Sequence, residues 1–147
     1  MKNLFYLIAL FSINSMFSQN SKTIIGEWDA SDFWENKSKF IFSEDGYISM
    51  TINGELVDGR NFIIKGGNDN GKKSEIKYTI DYTKNPIEID IIASKYEHGS
   101  AVERGRMLCV LKFIDDNEAQ LLISRGKRES EFNDENKDRI MNLSKNN

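Results

Sequence analysis

Residues 76–92 read IKYTIDYTKNPIEIDII. Two alternating runs flank the only proline of the chain, Pro86. In the first, Ile76, Tyr78, Ile80 and Tyr82 point one way and Lys77, Thr79 and Asp81 the other, because successive strand side chains take opposite faces. In the second, Ile87, Ile89 and Ile91 share a face and Glu88 and Asp90 take its reverse. Pro86 has no N–H to give a sheet and belongs in the connecting turn or at the head of the second strand. The stretch therefore predicts two adjacent antiparallel strands with one apolar side.

The same period of two recurs along the chain. KFIFS (39–43) leads through Asp45-Gly46 to YISMTI (47–52), where Ile48, Met50 and Ile52 share a face. Asn53-Gly54 is a strong hairpin signal, since both residues tolerate positive φ. RNFIIK (60–65), RMLCVLKFI (106–114) and EAQLLIS (118–124) add further strands. KRESEF is read as extended, and DRIMNLS as a short last strand or a helical turn. GGNDNGKKS and SKYEHGSAVERG read as polar loops. With TIIGEWDASDFW in front, about eight strands joined by short turns and no helical period predict an all-β fold: a single antiparallel up-and-down barrel. A barrel of that size is filled by side chains or holds one small ligand.

MKNLFYLIALFSINSMFS (1–18) has the basic start, short apolar run and small residue of a secretory signal peptide. Cleavage there leaves one domain, 19–147, secreted or periplasmic, with no membrane span after cleavage. The full chain carries a net charge of −3. Without Lys2 it has 19 basic against 23 acidic side chains, a net −4 that does not favour nucleic acid. The single cysteine, Cys109, lies in an apolar run and reads as a buried thiol. A monomer is expected.

Several motifs tempt and fail. Gly66, Gly71 and Lys72 fit part of a phosphate loop, but Lys73 stands where Ser or Thr must bind magnesium, and a strand follows where a helix is needed. The same loop lacks the carboxylates of a calcium loop at Gly66 and Lys77. One His, His98, and one Cys do not assemble a zinc site or a nucleophilic triad. Glu88 and Asp90 lie about 6.5–7 Å apart along a strand, within reach of a glycosidase pair, yet the alternation turns them outward where carboxylates stay hydrated. No catalytic residue, metal or cofactor is assigned. The aromatic residues Trp28, Trp34, Phe40, Phe42, Tyr78 and Tyr82 are the candidates to line a barrel interior that takes a small apolar ligand.

Gly26-x-Trp28 followed by FIFSEDGYI resembles the opening of lipocalin-like (calycin-like) domains of small secreted bacterial proteins. Tyr78, Asp81, Pro86, Ile89, Asp90, Gly105 and Phe132 are similar to an uncharacterised family of bacterial domains in which a tyrosine-bearing strand runs into a Pro-x-x-Ile-Asp strand. That family's later Arg-Pro pair is Arg128-Glu129 here. The resemblance implies a lipocalin-like barrel with the Trp near its closed end, a basic side chain against that Trp (Arg125, Arg128 or Arg139), and structural roles for Gly26, Pro86 and Asp90. It brings no reaction with it. Two functions follow as expectations for a protein that is not an enzyme: binding a small apolar ligand in the barrel, or docking an envelope protein partner through the two polar loops. Asp90 is expected to bond a neighbouring loop or a basic side chain.

Overall fold

The computed structural model describes residues 22–146. The leader read over residues 1–18 lies outside them. Ten strands form one sheet: β1 (Gly26–Ser31), β2 (Lys37–Phe42), β3 (Ile48–Ile52), β4 (Glu55–Val57), β5 (Phe62–Ile63), β6 (Lys73–Asp81), β7 (Ile87–Glu97), β8 (Ser100–Phe113), β9 (Glu118–Ile123) and β10 (Ile140–Lys145). Their order is β4-β3-β2-β1-β10-β9-β8-β7-β6-β5, and every pairing is antiparallel. The result is the expected all-β antiparallel barrel with ten strands, two of them very short, in place of about eight. Among the described residues the only helical element is one 3-10 turn, Lys137–Arg139.

The last strand, β10, pairs with the first, so the one seam lies between β3–β4 and β5–β6. Backbone contacts stitch it at two places. Tyr47 bridges Lys77, with Tyr78 N–H donating to the Gly46 carbonyl at 2.8 Å. Further along, the Ile76 N–H donates to the Gly59 carbonyl at 2.8 Å. A Cβ on Gly59 would stand 2.1 Å from the Ile48 carbonyl oxygen, so only glycine lets the chain cross between the two strands.

The inward residues follow the alternation. Trp28, Phe42, Ile48, Ile89, Cys109, Leu111 and Leu121 are buried in one core with Tyr78, Ile91 and Leu143. Each such aliphatic or aromatic side chain contributes about 1.5–3 kcal/mol by leaving water.

Three expectations are corrected. SKYEHGSAVERG is not a loop. β7 and β8 run through it as a long hairpin, turned by His98 and Gly99 with φ of 52° and 82°. Its polarity arises because β8 projects past its neighbour: β9 pairs only with Cys109–Phe113, so Ser100–Arg106 are exposed. KRESEF belongs to no strand. The segment 124–139 instead folds back over the outer face of β7–β9, where Val110 and Leu122 are fully buried beneath it. The strand read over residues 60–65 shrinks to Phe62–Ile63.

Candidate functional site

The barrel has two unlike ends. At one end the chain entering β1 crosses the opening. Ile24 is fully buried, its N–H donates to the Tyr82 hydroxyl (3.1 Å), and its carbonyl accepts from Trp28 Nε1 (2.7 Å). Trp28 is itself fully buried against Phe113, ring centroids 6.4 Å apart. Phe42 meets Tyr78 edge-on at 5.1 Å and Phe40 at 6.1 Å, and the Tyr78 hydroxyl donates to the Ser43 carbonyl (2.8 Å). Such pairs prefer this tilted geometry. The cation over Trp28 is Lys145, 5.4 Å from the ring centroid, and not one of the three arginines considered. Lys145 also lies against Gly26, 3.2 Å from where a Cβ would stand. Pro86 ends the β6–β7 connection after a cis bond, just before β7.

Away from that end the inner face carries apolar side chains that are only half-covered, beside the buried polar pair Ser74 and Lys95. Register places Met50 beside Phe40, Met107 beside Ile91, Ile123 beside Cys109 and Met141 beside Leu121, all on the inner face. With Ile52 they pack against the core yet stay partly exposed. Strand directions put Ile52, Ile123 and Met141 near the ends of β3, β9 and β10 that lie away from Trp28.

The six aromatic candidates therefore separate. Trp28, Phe40, Phe42 and Tyr78 fill the closed end as core. Trp34 and Tyr82 do not line the interior. Trp34 is 65% exposed on the turn after β1. There Asp32 breaks the strand by accepting from the Trp34 and Asn36 N–H groups at 2.9 Å each, and Glu35 adopts a φ of 64°. Tyr82 is 44% exposed because β6 ends at Asp81, which leaves it in the connection. The half-covered methionines were visible only as members of alternating runs; nothing in their spacing marks the end of a barrel.

Asp90 sits on the outer face as the alternation requires, yet it is largely buried. Arg128, 38 positions further along, reaches back to give Asp90 Oδ1 a 2.6 Å bond, and Arg106 holds Oδ2 at 2.8 Å. Arg128 also donates to the Cys109 carbonyl (2.8 Å), and its Nε stands 3.6 Å from Glu88. Burial alone would raise the Asp90 carboxyl; hydrogen bonds from Arg106 and then Arg128 outweigh it and hold the group below the usual carboxylate range. With both oxygens taken by guanidinium groups, Asp90 is not placed to exchange a proton with a substrate. Burial pushes the Cys109 thiol up to about 12, which disfavours the thiolate.

A second outer-face carboxylate, Glu75, is buried and receives the hydroxyls of Tyr96 (2.8 Å) and Tyr47 (3.3 Å), with Lys77 at 3.3 Å. The 66–72 loop is tied down by Asp69, which meets Lys72 at 2.8 Å and Lys95 at 2.9 Å. Those two bonds hold its carboxyl at about 2. No group of His, Cys, Asp and Glu among the described residues could hold a metal ion. No helix there is long and apolar enough to cross a membrane.

Fold and site together define an antiparallel up-and-down barrel, closed at a tryptophan end and apolar but half-covered at the other. Comparison with protein-family models, curated proteins and solved structures finds no match for this chain.

Proposed function

We propose that this chain is an exported, non-enzymatic, lipocalin-like protein that binds a small apolar ligand at the end of the barrel opposite Trp28. The observation that supports the reading is the inward set Met50, Ile52, Met107, Ile123 and Met141, apolar yet partly exposed. A soluble barrel gains nothing from leaving such a set wet. Methionine, unbranched and polarizable, adapts to varied apolar shapes. The site has moved from the six aromatics to these side chains, and export rests on the leader read from the sequence.

The test is titration of the purified protein with the uncharged probe Nile red, beside native mass spectrometry of protein taken from its own envelope fraction. Saturable one-to-one enhancement of the probe, weakened by Met50→Lys or Met141→Lys, is the expected result. Absence of any retained small molecule, together with probe binding that ignores both substitutions, overturns it.

A partner-docking reading is favoured by one feature. The β7–β8 hairpin projects past β9 with its β8 side exposed from Ser100 to Arg106. Capture of an envelope protein that is lost on trimming this hairpin, with Nile red binding intact, would favour docking over the ligand.

A further inference from the structure

We propose that the outer surface of β9, β10, β1 and β2 is a binding groove for a neutral oligosaccharide, separate from the barrel interior. A groove of about 520 Å³ crosses these strands. Two rows of outward side chains lie side by side in it. Register aligns Gln120 with Asn142, Asn142 with Ser31 and Ser31 with Lys37; in the next row Glu118 meets Ser144 and Ser144 meets Asp29. Four neighbouring strands span about 14 Å at the usual spacing, which is longer than a single sugar ring.

Three features distinguish this surface. The first is that most of its polar side chains are unpaired. Elsewhere on the barrel Asp90, Glu75, Lys95 and Arg106 are each held by two or more partners. In the groove Gln120 Nε2 donates to Asn142 Oδ1 at 3.1 Å, and Asp29 stands 4.0 Å from Lys39. Among the described residues the side chains of Ser31, Lys37, Glu118 and Ser144 have no hydrogen-bond or ion-pair partner.

The second is the chemistry of the rows. Amides and hydroxyls both donate and accept, as sugar hydroxyls do, so a bound sugar finds a partner whichever way its O–H groups turn. Asp29 and Glu118 against the single Lys37 make the lining slightly acidic, which disfavours a polyanionic glycan.

The third is that both ends carry exposed apolar side chains. Ile114, itself part of the lining, is 50% exposed. At the other end the turn joining Ser31 to Lys37 presents Phe33 and Trp34, 50% and 65% exposed and packed edge-to-face at 5.6 Å. Asp32 makes that turn rigid through three hydrogen bonds to Trp34 and Asn36. Sugar rings offer an apolar C–H face and a hydroxyl rim, and an aromatic platform beside a polar row meets both.

The experiment titrates the purified protein with maltohexaose, cellohexaose and chitohexaose, and with hexagalacturonate as the anionic control. Calorimetry and tryptophan emission are the readouts. Since Trp28 is fully buried and Trp34 exposed, a change in emission reports the groove. We expect saturable binding of at least one neutral hexaose, weakened about tenfold or more by Asn142→Ala and by Trp34→Ala. Both residues are exposed, so circular dichroism should show the fold unchanged. Nile red binding should stay as in the parent, which separates this site from the barrel end. The proposal is overturned if no neutral hexaose binds at millimolar concentration, if binding survives both substitutions, or if hexagalacturonate binds more tightly than the neutral sugars.

Discussion

The two ends of this barrel are built from the same kind of inward apolar side chain and differ in how they are covered. At the Trp28 end Ile24 crosses the opening, the indole N–H and the Tyr78 hydroxyl have carbonyl partners, and the aromatic rings meet one another. Towards the other end Ile52, Ile123 and Met141 continue the same inner face, with Met50 and Met107 beside Phe40 and Ile91, and all five remain partly wet. The inner face differs along its length: Ile24 folds across it at the Trp28 end, and away from Trp28 it also carries the buried polar pair Ser74 and Lys95.

The largest expected effect lies where the covered part of the barrel is joined. Gly59→Ala must push its Cβ into the Ile48 carbonyl, and a backbone atom cannot move aside as a side-chain tip would. Urea unfolding should show a loss of more than about 3 kcal/mol, the upper range for overpacking. A loss below about 1 kcal/mol would mean that the seam opens readily and that the barrel is not held shut there. Trp28→Ala follows. Its fully buried ring leaves a cavity and orphans the Ile24 carbonyl, so a loss of about 3–5 kcal/mol is expected by the same measurement. The same truncation at exposed Trp34 should change stability by no more than about 0.5 kcal/mol.

A difference of this size between two tryptophans six positions apart shows what the sequence made legible and what it did not. Alternation around Ile87, Ile89 and Ile91 placed the core face, and Asn53-Gly54 marked a turn that forms with φ of 51° and 81°. Both are local signals. Trp34 does not share the inner face with Trp28, because alternation holds only within an unbroken strand and Asp32 ends β1 at Ser31. The β7–β8 hairpin was hidden for a related reason. Beyond the reach of β9 its β8 strand is wet, so no alternation is imposed on it. The crossing at Gly59 and the cover over Val110 depend on segments distant in the chain and leave no local trace. Asp90 lies between these cases. Its outward direction was legible, while its partner Arg128 comes from the folded-back 124–139 segment.

That pair gives the next effect. Asp90→Asn removes the charge that two arginines share and should cost about 2 kcal/mol, less than a fully buried pair because Arg106 remains partly in water. The pH dependence has a definite sign. The folded carboxyl titrates below its unfolded value of about 3.9, so its contribution is complete above that pH and is lost as pH falls through the lower folded value. Parent and variant stabilities should therefore converge in acid below the usual carboxylate range and differ at neutrality. A constant difference across that range would show that the Asp90 charge does not fasten the 124–139 segment.

A small effect on stability should accompany the clearest effect on binding. Met141 faces inward beside Leu121 at the half-covered end. A lysine there can keep its methylene stem along the same apolar wall and lift its ammonium to water, so Met141→Lys should shift unfolding by less than about 1 kcal/mol. The same ammonium stands where an apolar molecule would enter, and an uncharged guest cannot repay its desolvation. Nile red affinity should fall about tenfold or more, a change of about 1.4 kcal/mol in binding. Met141→Leu keeps the surface apolar and should retain the probe. If lysine instead destabilises the barrel as strongly as Trp28→Ala, the second end is as closed as the first and the contrast between them disappears. If lysine is tolerated and the probe binds unchanged, the contrast stands, but the uncovered end is not where an apolar ligand sits.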